Sequence, residues 1–233
     1  MKNFLEKIFN WLDSSIQKKN IEILKKYLGK KINIYIDVGA HKGEMIKILR
    51  KNFKINKIFA FEPNPECLKF LKKKYIVLFP LALSNINGKR KFKIGHLSSM
   101  STLNKINEKA IYSKLKRLII KIFYKENDIY KKNLNIKTKR FEDINFLKKH
   151  EYVDFLKIDT EGHEFNVIRG FGKHILKVKF ILFEYHYDKS LIKNYEFNEI
   201  NTYLLFKNFK LVSKNKMLFR KGYELIYKNI KYE

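Results

Sequence analysis

A chain of 233 residues, 45% of them hydrophobic, can bury one substantial core without a second domain. Its single cysteine, Cys67, excludes an internal disulfide and suits a reducing compartment, and no apolar run approaches the roughly eighteen residues of a membrane-spanning helix. The formal net charge is +28, but only six of the 51 basic residues are arginine, the side chain preferred for bidentate phosphate contacts. The charge therefore reads as a solvated lysine surface, and no specific nucleic-acid partner is expected.

Residues 1–31 read as an amphipathic helical segment with Leu5, Ile8, Phe9, Leu12, Ile16, Ile21, Leu24 and Leu28 spaced by three or four, either one helix or two with a break near Asp13-Ser14-Ser15. Such a helix either packs on a sheet or lies on an anionic membrane. Charges scattered through its first turns leave no signal-peptide core, which points to the cytoplasm, with peripheral contact at the inner face of the membrane as a further expectation.

Residues 32–233 read as one α/β domain. Ile32-Asn33-Ile34-Tyr35-Ile36 is a near-continuous apolar strand, and it runs into Asp37-Val38-Gly39-Ala40-His41-Lys42-Gly43 before a helical pattern starts at Glu44. Gly39 and Gly43 suit a tight turn or a close approach of backbone to ligand. A pyrophosphate site would want a third glycine and a bare helix N-terminus, whereas Glu44 sits in the first turn and repels phosphate. The second strand, Lys57-Ile58-Phe59-Ala60-Phe61, ends in Glu62-Pro63, where an acid can accept the hydroxyls of a ribose. A ligand with a ribose, no phosphate and a positive charge fits S-adenosylmethionine.

Asn64-Pro65 is an N-cap followed by proline at the first helical position, and a helix is expected over residues 65–74. A third strand, Ile76-Val77-Leu78-Phe79, leads to Ala82 and Leu83, small and apolar enough to wall a flat base. Lys91-Phe92-Lys93-Ile94 alternates as a surface strand does, and the hydroxyl-rich loop from Ser98 to Leu103 suits either substrate contact or capping. Residues 104–139 read as a basic helical insertion near the site, covering the core as a lid or gripping a membrane or partner. Phe141-Glu142-Asp143-Ile144 opens a short helix. A fourth strand ends in Asp159 and a fifth, Lys179-Phe180-Ile181-Leu182-Phe183, in Glu184-Tyr185-His186. A helix over 198–206 and two strand-like runs close the chain. The expectation is a Rossmann-like class I methyltransferase fold: a mostly parallel seven-stranded sheet, helices on both faces and an antiparallel C-terminal strand.

The fourth and fifth strand ends bring Asp159, Glu161, His163, Glu184 and His186 to one crevice, a dense polar cluster for catalysis. Either histidine can serve as general base near neutral pH. Glu161 and Glu164 also suit helix-start acids. Asp159, Glu161, Glu184 and His186 have the oxygen and imidazole donors for Mg²⁺ or Mn²⁺, a divalent cation admitted as an alternative but not favoured.

Asp37 to Gly43, Phe61-Glu62-Pro63-Asn64-Pro65, Ala82-Leu83-Ser84 and Leu156-Lys157-Ile158-Asp159-Thr160-Glu161-Gly162-His163-Glu164 together resemble the FkbM-type methyltransferases over about residues 32–186. His41 departs from the asparagine usual there, which leaves its backbone role intact. The resemblance implies S-adenosylmethionine as methyl donor, held by Asp37, Gly39, Ala40, His41, Gly43, Glu62, Pro63, Ala82 and Leu83. It also implies O-methylation of a small-molecule or glycan substrate, with a sugar hydroxyl of a surface polysaccharide or lipid-linked precursor leading. Two rivals stand beside it: a nucleic-acid methyltransferase, favoured only by charge, and a non-catalytic scaffold retaining the fold.

Overall fold

The computed structural model describes residues 2–145, 150–217 and 221–232, with side chains from Ser15 onward. Helix α1 (Lys2–Leu28) is followed by β1 (Lys31–Val38), α2 (Glu44–Asn52), β2 (Lys54–Phe61), α3 (Pro65–Leu71), β3 (Ile76–Phe79) and β4 (Ala82–Leu83). Then come β5 (Gly88–Gly95), β6 (Lys105–Ile106), α4 (Ile111–Tyr124), β7 (Tyr130–Lys139), β8 (Val153–Ile158) and α5 (Glu164–Gly170). The chain closes with β9 (Val178–His186), β10 (Leu191–Ile192), α6 (Phe197–Phe206), β11 (Phe209–Lys216) and β12 (Gly222–Asn229).

Seven strands form the central sheet in the order β11-β12-β9-β8-β1-β2-β3. β1 pairs in parallel with β2 and β8, and β8 with β9, whereas β12 inserts antiparallel between β9 and β11. This is the expected class I methyltransferase sheet. Side-chain alternation along the strands splits the core in two. On one face Ile36, Phe61, Ile158 and Phe183 pack against Val167 and Ile168 of α5 and Ile200 and Leu204 of α6. On the other, Tyr35, Ile58, Phe155 and Leu182 meet Ile21 and Leu24 of α1, Leu49 of α2 and Leu71 of α3. Burial on both faces is why β8 reads as an apolar run, all six of its residues being buried.

Local chemistry sets the element ends. The Asn64 side chain accepts from the Glu66 N–H at 3.1 Å and Pro65 follows at the first helical position, so α3 starts where a cap and a fixed φ coincide. Glu196 and Glu199 form a reciprocal capping box that starts α6.

Of the two forms open for residues 1–31, α1 takes the single helix, continuous through Asp13-Ser14-Ser15. One expectation is corrected. Residues 104–139 are not simply a helical insertion: α4 occupies the middle, and β7 pairs with β5 and β4 in a separate three-stranded sheet. Its alternating sequence loses to lysine content as a signal, because solvent-facing lysines suit helix and edge strand alike. Phe141–Asp143 form a 3-10 turn, and the part of the expected short helix that falls on 146–149 lies outside the described residues.

Candidate active site

The C-terminal ends of β1, β2, β8 and β9 surround one deep cleft, and the connections leaving those strands form its walls. Strand-to-strand bonds hold the first loop: the Gly39 N–H donates to the Phe61 carbonyl at 2.9 Å and the Asp159 N–H to the Val38 carbonyl at 2.9 Å. Gly39 has φ +74°, and a Cβ built there would stand 1.8 Å from the Asp159 carbonyl oxygen. Only glycine fits here, where the two strand ends pack backbone against backbone at the edge of the cleft.

Glu62 closes the second strand. Its Oε2 accepts from the His41 N–H at 2.7 Å and its Oε1 from the Asn64 N–H at 2.7 Å. Each carboxylate oxygen carries a second lone-pair site, so the fixed carboxylate can still receive a pair of hydroxyls. Burial pushes this carboxyl upward, against the two backbone donors that favour its charged form. Pro63, Ala82 and Leu83 continue the wall.

The His41 ring meets Glu44 Oε1 through Nδ1 at 3.1 Å and Ser98 Oγ through Nε2 at 2.7 Å. Burial would lower its pKa, but hydrogen bonds to Cys67 and Glu44 outweigh this and raise it to about 10. Glu44 also feels burial, and the same histidine overrides it to hold the carboxyl down at about 2.

On the opposite wall, Lys157 is one of two buried charges in β8, the other being Asp154. Its Nζ lies 3.1 Å from Asp159 Oδ2, 3.5 Å from Asp37 Oδ1 and 3.5 Å from the Gly39 carbonyl oxygen. Burial alone would depress the ammonium; Asp159 and Asp37 hold it above its usual value. Burial likewise raises the Asp37 carboxyl, with Lys157 opposing.

The turn after Asp159 is pinned from both sides. Glu164 Oε1 accepts from the Thr160 and Gly162 N–H groups at 3.1 and 2.9 Å, and the Tyr195 hydroxyl shares its one proton between Glu164 Oε2 at 2.9 Å and the Gly162 carbonyl at 2.8 Å. From the other side Thr102 Oγ1 donates to the Glu161 carbonyl at 2.7 Å and the Asn104 amide to that of Gly162. This straps the loop over 98–104 across the cleft, and Ser98, Ser99 and Ser101 line it.

Of the cofactor residues read from the sequence, Gly39, Ala40, His41, Glu62, Pro63, Ala82 and Leu83 line the cleft. Asp37 and Gly43 do not. Asp37 is fully buried behind the loop against Lys157, and Gly43, at φ +80°, caps the start of α2. Of the catalytic set, Asp159, Glu161, His163 and Glu184 line it and His186 does not.

The two histidines differ sharply. The Asn166 amide donates to His163 Nδ1 at 3.2 Å, which leaves the proton on Nε2 for Ser84 Oγ at 2.9 Å. Both ring nitrogens are thus engaged, and burial with Arg90 nearby pushes the pKa down to about 4. His163 is a locked neutral ring, and the expectation that it serves as general base is corrected. His186 stands behind Glu184, Nε2 to Oε2 at 3.2 Å. Although burial opposes its charge, Glu184 and Glu161 raise it to about 9, so near neutrality it is an imidazolium backing a carboxylate. It too is no free base.

Among the described residues, no group of three or more His, Cys, Asp or Glu side chains is placed to hold a metal ion, so the cation set Asp159, Glu161, Glu184 and His186 does not converge. Sequence reasoning missed Lys157, whose signal was a charge inside a mostly apolar strand two residues before an acid. It also missed Gln17 of α1 and Glu224 of β12, which reach the cleft from distant parts of the chain. They carry no local signal.

The Methyltransferase FkbM domain matches residues 37–211. The chain belongs to the FkbM methyltransferase family. Its fold is similar to the crystal structure of methyltransferase FkbM from Methylobacillus flagellatus KT, with a TM-score of 0.52 at 13% identity over 84% of this chain. The match covers 43% of that chain, so this protein spans less than half of its relative's length. Magnesium protoporphyrin IX methyltransferase from Synechocystis PCC 6803, solved with bound S-adenosylmethionine, aligns at 9% identity, TM-score 0.49, over 97% of this chain and 82% of that one. A putative RNA methyltransferase from Pyrococcus horikoshii aligns at 10% identity, TM-score 0.47, over 91% and 82%. No curated protein matches the sequence.

Proposed function

We propose that the protein transfers the methyl group of S-adenosylmethionine to a hydroxyl of a sugar, in a glycan, a surface polysaccharide or a lipid-linked precursor. One observation carries this reading: in a chain of net charge +28, the cleft is lined by six carboxylates, Glu44, Glu62, Asp159, Glu161, Glu184 and Glu224, against two cations, Lys157 and the His41 imidazolium. Such a lining favours a sulfonium cation and a neutral polyhydroxylated partner and disfavours phosphate.

The donor would supply an already activated methyl, leaving the protein to align the two reactants and receive a proton. Glu62 would take the ribose hydroxyls, and Ala82 and Leu83 would wall the base. The backbone at Gly39 and Ala40, which lines the cleft, would lie under the amino-acid part. Alignment of this kind is worth several kcal/mol. Glu184, backed by His186 at 3.2 Å, is the proposed acceptor of the hydroxyl's hydrogen bond and proton, with Glu161 beside it. A positioned base contributes about 10²- to 10⁴-fold. Lys157 would fix Asp159 on the opposite wall.

The nucleic-acid rival rests on surface charge, and the acidic cleft argues against a polyanion there. A cytoplasmic setting, in keeping with the single buried thiol of Cys67, belongs to the same reading. The test starts with calorimetric titration of S-adenosylmethionine and S-adenosylhomocysteine, with and without Mg²⁺, followed by transfer of labelled methyl to neutral sugars, polysaccharide and lipid-linked glycans. Micromolar binding and an alkali-stable O-methyl sugar are expected. Folded protein that binds neither ligand overturns the donor, and methylated RNA or a methylated amine overturns the acceptor.

A further inference from the structure

Helix α4 turns the wrong face to water for a lid. Ile111, Leu115, Leu118 and Ile122 recur at i, i+4, i+7 and i+11, a single stripe, and they are 83%, 48%, 52% and 58% exposed. The side turned to the protein carries Ser113 and Ile120, the helix's two buried residues. Scattered exposed apolar residues are ordinary, but four contiguous ones on one helix are an unpaired contact surface.

Its chemistry selects the partner. From Ile111 to Lys125 there is no acidic residue, while Lys114, Lys116, Arg117, Lys121 and Lys125 are basic. Lys114 and Lys121 lie beside the stripe and are exposed, as is Lys125 at the last turn. An apolar stripe edged by cations matches a surface that is apolar below and anionic above, the boundary between headgroups and acyl chains in an anionic bilayer. The helix is too short and too charged to cross one, and no helix among the described residues is long and apolar enough to do so.

The helix is also coupled to the cleft. The Tyr124 ring in its last turn lies 5.7 Å from the His96 ring, and Ser98, two residues on, lines the cleft and bonds His41. A shallow depression lined by Lys42, His96, Ser98, Tyr124 and Lys131 joins the two. A surface bound by α4 would lie beside the mouth of the active site.

We propose that α4 docks the protein on an anionic lipid bilayer, its apolar stripe in the acyl boundary and its lysines on lipid phosphates. This goes beyond the acceptor reading: flotation tests the surface and methyl transfer tests the acceptor, so either can fail alone.

The experiment is flotation of the full chain with vesicles of phosphatidylcholine alone and of phosphatidylcholine with phosphatidylglycerol. Binding to the anionic vesicles is expected, with the partition falling roughly tenfold or more in the double variant Leu115→Ser/Leu118→Ser, because each leucine gives up its transfer energy. Lys114→Glu/Lys121→Glu should lower it as well. Unchanged S-adenosylhomocysteine affinity would certify that both variants fold. No flotation with either vesicle overturns the proposal. So does flotation the leucine variant leaves intact, which would mean diffuse lysine attraction, or a solution dimer that the same variant dissolves, which would mean that a second copy covers the stripe.

Discussion

The cleft and the outer surface carry opposite charge for opposite reasons. Outside, lysines stand in water, where each contributes little and salt screens them. Inside, six carboxylates line a cleft: Glu62 is held by two backbone N–H groups, Glu44 by His41, Glu184 by His186, Asp159 by Lys157 and Glu224 by the Asn20 amide, and Asp37 behind the cleft shares Lys157. Composition speaks for the surface alone. A total of +28 hides an acidic interior because a few buried groups decide what enters, while many exposed ones decide how the molecule meets its surroundings.

The sharpest way to break this contrast is Lys157→Met. Removing the ammonium leaves Asp37 buried without its counter-charge, and about 3–5 kcal/mol of stability should be lost in chemical denaturation. A cost near zero would mean that Asp37 is held in some other way. Next in size is a pH effect. His163 titrates at about 4 in the fold against an ordinary 6.5. The unfolded chain therefore binds a proton first as pH falls. Stability supplied by this ring is complete above about 6.5 and is lost towards 4, amounting to about 3 kcal/mol. The difference in unfolding free energy between wild type and His163→Gln, followed from pH 7 to pH 4, reads this directly; parallel curves would contradict the locked neutral ring.

Glu62→Ala sharpens the contrast on the binding side. Loss of a charged hydrogen-bond acceptor should weaken S-adenosylhomocysteine binding about 10- to 100-fold, roughly 1.5–3 kcal/mol, as measured by calorimetry. Unaltered affinity would place the ribose elsewhere. The smallest effect belongs to the surface: Lys89→Glu or Lys91→Glu, both exposed on β5, should change stability by less than about 0.5 kcal/mol. If either cost as much as Lys157→Met, the division into structural interior and solvated exterior would fail.

Much of the fold was legible because its signals are local. Buried parallel strands are largely apolar on both faces, so β1, β2, β8 and β9 stood out, the edge strand β3 was legible as a short apolar run, and the Asn64-Pro65 start of α3 was legible from two residues. The site was legible in part for the same reason: ligands gather where parallel strands end, which picked out Gly39, Glu62, Asp159 and Glu184. The failures share a cause. His163 and His186 look alike beside their strands, yet Asn166 and Ser84 lock one while Glu184 charges the other. β7 was hidden by lysines because its pairing with β5 joins residues some fifty positions apart, such as Gly88 and Thr138.

By itself, the sequence determined the order of the central-sheet strands, the glycine loop and the acids at the strand ends, because backbone propensity and the burial pattern of a strand are properties of neighbouring residues. Only the tertiary structure decided which of those acids face the cleft, that Lys157 joins Asp37 to Asp159, that the loop over 98–104 is strapped to the turn after Asp159, and that the apolar side of α4 faces outward. Each of these depends on contacts between residues far apart in the chain, whose direction and burial exist only once the sheet has assembled.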